Sequence, residues 1–417
     1  MIERINKILW GLFLLTFPFS IRFLVYEEAS YRFGNFNPWV SGFIYATEIL
    51  LVITFLLWCF QQLQVTSYKL RIKNLKSKIF NIKFLLIALF LINALVVTVL
   101  KGDVVLGAIF IMRMCEAGMI AYLISSEVIT IRQTVTILLF AAALQMGWGY
   151  LQWQMNHGLG LSRLGEAFIG PEVAGVAKID LIDGTKQIRP YGSFLHPNIL
   201  AAYLMTILFV ALPYLKKNGL FWIVLLTGGI FFTHSLAGIL VTCTGLVMYL
   251  IFRYGKSIKF RKAVKTLILL LLIIVNGWIF LSSKSIQLSN SSWQERLDQN
   301  KISEEMIKSE PLGVGARNFT LEMERFSDIK LLPWEFQPVH NTYFLIMNET
   351  GVQGLMLMII MILYLFIHHW KKGTILPLFM LILIAPFDHF LWDSFSGMML
   401  VGIVLGFFVF ENNKKHI

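Results

Sequence analysis

Three residues carry side chains suited to chemistry on a charged substrate: Arg189, Arg296 and His340. Each stands where a polar stretch meets, or lies close to, a long apolar run. Arginine is always cationic, and its planar fork matches phosphate or carboxylate oxygens. Histidine titrates near neutrality and can take or give a proton. Each also has a plain structural use. An arginine at a membrane boundary snorkels or marks topology, and a histidine before a helix can bond its first turn. The segment "IRPYGSFLHPNILAAYL", 188–204, holds both possibilities. His-Pro-Asn is a good helix-start turn, with Pro197 at the first helical position and Asn198 beside it. His196 therefore reads first as structural and second as a site residue.

Apolar helices must position these residues. The chain has 417 residues, 57% hydrophobic and only 14% charged, against about 25% charged in an ordinary soluble domain. Runs long enough to span a bilayer recur throughout, which predicts an all-α, polytopic membrane protein forming a single domain over 1–417. The expected spans are 6–25, 40–60, 82–100, 104–124, 133–154, 197–215, 219–234, 236–252, 265–283, 341–367, 374–387 and 389–411, about twelve in all. The net charge of +12 lies mostly in short loops between apolar runs. There it sets topology, so no nucleic-acid partner is expected. The three cysteines, Cys59, Cys115 and Cys243, all sit inside apolar runs and give neither a disulfide framework nor metal-ligand spacing.

The uncharged segment 219–252 decides the span count. Lys216 and Lys217 precede it; Arg253, Lys256, Lys259, Arg261, Lys262 and Lys265 follow it. Basic clusters on the same side require an even number of crossings, so a tight turn is expected near His234 and Ser235. The other clusters, 69–83, 368–372 and 414–416, agree if both termini are cytoplasmic. The two long loops, 156–196 and 284–340, then lie outside the cytoplasm, where a site is expected. In the second loop, 294–308 reads as an amphipathic helix with Leu297, Ile302, Met306 and Ile307 on its apolar side. Pro311 ends it, and Gly313 and Gly315 permit a tight turn.

"RPYGSFLHPNILAAYL", "SWQERLDQNKISEEMIKSEPLGVGARNF" and "HNTYFLIMNETGVQGL" appear in that order between Arg189 and Leu355. Together they resemble the bacterial O-antigen ligase and polymerase superfamily. The family pattern is an Arg before Gly-Thr/Ser-Phe and Pro-Asn, then a Ser/Arg segment running into Pro-Leu-x-Gly-x-Gly, then His-Asn followed by Glu-x-Gly. Two departures stand out. Leu236 in "HSLAG" holds a position where the family often has arginine, and Ser193 replaces the commoner threonine.

The resemblance implies an architecture similar to C-type glycosyltransferases. It also implies transfer of a polyprenyl-diphosphate-linked glycan to an acceptor hydroxyl on a glycan or glycolipid. That chemistry takes place at the outer face of the bacterial cytoplasmic membrane, by inversion, with no metal and no cofactor. Ligase type is preferred to polymerase type. Arg189 and Arg296 then hold the diphosphate, whose negative charge grows as it leaves. His340 activates the acceptor or only orients substrate. His196, Asn198, Asn341 and Arg317 are further substrate-binding candidates.

Other polar residues read more plainly. Arg113 and Glu116 share a helix face and read first as a buried structural pair and second as a polar lining for the sugar or diphosphate path, while Glu48 also needs a partner inside its span. Asp388, His389 and Asp393 form a polar outer rim. The competing function is a flippase or transporter of lipid-linked oligosaccharide, but such folds tend to carry internal repeats, and none is evident.

Overall fold

A computed structural model describes residues 1–32, 34–65, 82–181, 184–215, 219–254, 291–368 and 375–413. It is mostly helical. Six helices among these residues are long and apolar enough to cross a membrane: Ala46–Gln64, Val104–Ser125, Ile131–Met155, Pro197–Tyr214, Leu236–Arg253 and Thr342–Ile367. Four shorter apolar helices accompany them, at Leu85–Lys101, Gly219–Phe232, Ile375–Phe387 and Phe395–Phe410. The expected span 265–283 lies outside the described residues.

The first expected span, 6–25, is corrected. Helix α1 (Ile2–Thr16) stops early. Pro18 follows and, having no N–H, cannot extend the helical hydrogen-bond ladder. Residues Arg22–Tyr26 form strand β1 instead and pair antiparallel with β4 (Gly42–Tyr45). Short strands β2 (Tyr31–Arg32) and β3 (Asn35–Phe36) pair between them. This pairing satisfies backbone groups that the helix would otherwise have used. Helix α2 (Ala46–Val65) begins directly after β4.

The chain continues as α3 (Ile82–Lys101), α4 (Val104–Ser125) and α5 (Ile131–Met155). Asp103 caps α4, accepting hydrogen bonds from Val105 N and Leu106 N, and Thr130 with Gln133 makes a capping box on α5. The loop after α5 carries a two-stranded hairpin, β5 (Lys178–Asp180) with β6 (Lys186–Ile188). Helix α6 (Pro197–Ala211) then enters the centre of the bundle. Its membrane-length window is 83% buried, against 17% for Thr342–Ile367. A helix apolar on every side belongs in the core, so the residues at its N-terminus are carried to the middle of the protein.

The expected turn within 219–252 is present. Helix α7 (Gly219–Phe232) and helix α8 (Leu236–Tyr254) are separated by Thr233–Ser235, with His234 at φ +52°. Helix α9 (Ser291–Ser309) covers the amphipathic stretch; Ile302 and Met306 are buried, as are Gln299 and Ser303 beside them. After the short α10 (Phe319–Glu322) comes α11 (Thr342–His368), which kinks at Gly351 with φ +77°. The Pro311–Gly315 turn fits into that kink. Val314 N and Gly315 N donate to Asn348 O and Glu349 O, and Val352 N donates to Pro311 O. A Cβ on Gly351 would lie 2.5 Å from Leu312 O. Only glycine takes this conformation and this approach without strain.

Helices α12 (Ile375–Ile384), α13 (Phe390–Asp393) and α14 (Phe395–Asn413) complete the fold. The expected span 389–411 is thus broken at Ser394. Its main part, α14, lies close against α4, where a Cβ on Gly402 would come within 2.6 Å of Ala117 O. Below this crossing Arg113 pairs with Glu48 and with Glu116, 3.0 Å away, and donates to Phe43 O at 2.6 Å. The buried pair expected from sequence is a triad.

Candidate active site

One end of the bundle gathers the N-termini of α6, α8, α11 and α14 with the C-termini of α5, α7 and α12. The residues singled out from sequence meet there. Arg189 follows β6, anchored by its backbone N on Ala177 O. Its Nε donates to Thr233 O in the α7–α8 turn at 2.9 Å, and its Nη2 donates to Asn198 Oδ1 at 3.0 Å. Asn198 Nδ2 in turn donates to Asp388 Oδ2 at 3.1 Å. Arg296, in the first turns of α9, donates from Nη1 to Phe387 O at 3.1 Å. His196 caps α6, accepting from Asn198 N at 3.2 Å. The helix-start role is therefore present, and the same residue also borders the site.

His340 closes the cluster. Its Nδ1 lies 2.8 Å from Gln299 Oε1 on α9. With the amide oxygen facing the ring, Nδ1–H donates and Nε2 keeps its lone pair. The ring meets that of His389 edge-on, 5.1 Å between centroids. His389 pairs through Nδ1 with Asp393 at 2.8 Å, and its backbone N donates to Asp388 Oδ1 at 2.8 Å.

Charges sort sharply in this environment. Burial pulls the Arg189 guanidinium down to about 10, which leaves it charged at neutral pH. Burial also lowers Arg296 from its ordinary value, partly offset by the Asp388 carboxylate. Burial would raise Asp388, yet His389, His340, His196 and Arg296 together hold its carboxyl well below the usual range. Burial works against charge on His389 as well, but Asp393 outweighs it and the ring stands above the ordinary histidine value. His196 is driven down to about 3, chiefly by burial. Burial, then Arg296 and His389, hold His340 well below its ordinary value. Three cations therefore face two carboxylates, with His196 and His340 neutral beside them. Such a site has surplus positive charge for an anion and a base able to accept a proton.

Two sequence candidates lie elsewhere. Asn341 starts α11, its Oδ1 accepting from Tyr343 N at 3.0 Å and Phe344 N at 3.3 Å. Arg317 donates to Trp39 O and Ser41 O, both at 3.3 Å, beside the β1–β4 segment.

The expected outer rim of Asp388, His389 and Asp393 is corrected. Asp388 and His389 are 6% and 4% exposed, inside the cluster. Adjacent residues on a regular helix point apart. Here the helix is interrupted: Asp388 is extended, with φ −160° and ψ 166°, between the turn ending at Phe387 and α13. The signal available in sequence was Pro386 just before "FDH". Gln299 was also missed, since a glutamine on an amphipathic helix reads as solvated.

Residues 219–359 match the protein-family model described as O-antigen ligase. This match supports the resemblance of the chain to the O-antigen ligase and polymerase superfamily. No curated protein matches it. The matched segment holds Arg296, His340 and the α7–α8 turn, while Arg189 and Asp388 lie outside it and are joined to it by the contacts above. With the membrane-length helices, the match supports a multi-pass bacterial inner-membrane protein and a part in glycan transfer in O-antigen assembly.

Proposed function

We propose that the chain transfers a polyprenyl-diphosphate-linked glycan to an acceptor hydroxyl at the outer face of the membrane, with inversion and without a metal. The observation that carries this reading is the joint placement of Arg189, Arg296 and a neutral His340 in one buried cluster at a single end of the bundle. The two guanidinium groups receive the donor diphosphate. His340 Nε2 takes the acceptor hydroxyl proton as that oxygen bonds to the anomeric carbon. The bond from that carbon to the diphosphate oxygen breaks, and the lipid diphosphate leaves with the electron pair. Its growing charge is met by preorganised donors in a site of low dielectric, where such contacts are strongest. Asp388 orients Asn198 and so Arg189, and balances charge before the donor arrives. The N-terminal end of α1 and the C-terminal end of α14 lie at the opposite end of the bundle, which this reading assigns to the cytoplasm.

The ligase reading is preferred to polymerase on the His340-Asn341 and Glu349-x-Gly351 pattern. Reconstitution with a polyprenyl-diphosphate oligosaccharide tests both. One addition to a distinct acceptor supports ligase; a ladder from donor alone means polymerase. No transfer to any glycan or glycolipid acceptor overturns the proposal.

A further inference from the structure

A second group of cations lies on the far side of His389. Arg22, Trp39, Phe43, Arg113, Arg317 and Asp393 line a pocket there. Trp39 shares a wall with the active site, since its ring meets His389 edge-on with centroids 4.9 Å apart. Asp393 does the same through its pair with His389.

The three arginines are not equivalent. Arg113 is committed to Glu48, Glu116 and Phe43 O. The Arg22 side chain forms no hydrogen bond or ion pair among the described residues; its guanidinium lies 4.2 Å over the Phe43 ring. The Arg317 guanidinium forms no ion pair among the described residues and makes only two long bonds, to carbonyls. Its buried Nε has no hydrogen-bond partner among them. Its backbone is also held at φ +61°, a conformation costly for a side chain this size and common at functional sites. Two half-buried guanidinium groups without an ion-pair partner at one pocket leave positive charge available to an anion. The one carboxylate in the wall, Asp393, is already engaged by His389.

We propose that this pocket is an acceptor subsite, in which Arg22 and Arg317 grip a phosphate or carboxylate group carried by the acceptor near its reacting hydroxyl. This rests on the transfer reading above. Position selects the acceptor rather than the donor. Arg189, Asn198, Asp388, His389 and Trp39 follow one another contact by contact, from the guanidinium pair assigned to the leaving diphosphate to this pocket. In an inverting displacement the hydroxyl arrives opposite the leaving group. An anionic handle bound beyond His389 holds that hydroxyl on the His340 side and keeps its charge apart from the diphosphate.

The full chain in lipid nanodiscs is assayed with one lipid-linked donor and two acceptors, a phosphorylated or uronic-acid oligosaccharide and its neutral counterpart. The wild type is expected to favour the acidic acceptor in kcat/KM. Arg22→Gln and Arg317→Gln each cut that advantage about tenfold or more, as loss of a charge-assisted hydrogen bond does, mainly through acceptor KM. Arg22→Lys keeps part of the advantage, which separates lost charge from a misfolded hairpin. An unchanged preference in both glutamine variants overturns the subsite, as does a wild type indifferent to acceptor charge. Tungstate soaked into crystals supplies an arm independent of turnover: its anomalous peak is expected between Arg22 and Arg317 and lost in the double glutamine variant. A wild type that binds tungstate there yet transfers to neither acceptor overturns the transfer reading and the acceptor role, and leaves an anion site. Tungstate confined to Arg189 and Arg296 overturns the anion site itself.

Discussion

Asn198 and Asp388 stand 190 residues apart in sequence and meet at 3.1 Å, amide nitrogen to carboxylate oxygen. Through this bond the last inter-helix turn of the protein sets the side chain that holds Arg189. The contact also fixes how acid acts on the fold. Asp388 has a depressed folded-state pKa, so its contribution is present above the unfolded carboxylate value and lost as pH falls through the folded value. Asp388→Asn is expected to cost about 3–5 kcal/mol at neutral pH, because it leaves buried cations unbalanced. Thermal unfolding of the two proteins should converge only in strong acid. Equal melting temperatures at neutral pH would remove Asp388 from the charge balance.

His340→Gln is expected to lower transfer about 10²- to 10⁴-fold, the range for loss of a general base. The histidine stays neutral below its ordinary titration point. The wild-type rate should therefore hold as pH falls past that point, and decline only at distinctly lower pH. A rate already halved at the ordinary histidine value would contradict the base assignment.

Arg189→Ala and Arg296→Ala should each reduce transfer about 10²- to 10³-fold, as removal of an oxyanion donor does. Arg189→Lys should recover little. One ammonium cannot reach Thr233 O and Asn198 Oδ1 as Nε and Nη2 do. Full recovery by lysine would reduce Arg189 to a point charge.

Two substitutions probe the frame. Arg113→Ala strands Glu48 and Glu116 in the bundle and should cost about 3–5 kcal/mol. Gly351→Ala forces a Cβ into a left-handed position against Leu312 O, at roughly 1–3 kcal/mol. Thermal unfolding in detergent with the wild type alongside measures both. Loss of activity in Gly351→Ala without loss of stability would make the kink a functional hinge.

Much was determined by local chemistry and is legible along the chain. Long apolar runs must become helices in a bilayer, because only a helix satisfies its own backbone there. Proline and glycine mark the end of α9 and the start of α6 at Pro197, and basic clusters placed on one side required the α7–α8 turn. Arg189, Arg296 and His340 stood out because they hold motif positions of the family that the chain resembles, and their side chains suit a diphosphate and a proton transfer. Only the tertiary structure decided which of these groups meet. It placed Arg317 and Asn341 away from the cluster and brought Asp388, His389 and Gln299 into it. The early end of α1 belongs to the same class, since strand pairing between Arg22–Tyr26 and Gly42–Tyr45 outweighed local hydropathy. Charge balance and hydrogen bonding across 190 residues depend on which helix ends share one end of the bundle, and no local pattern carries that.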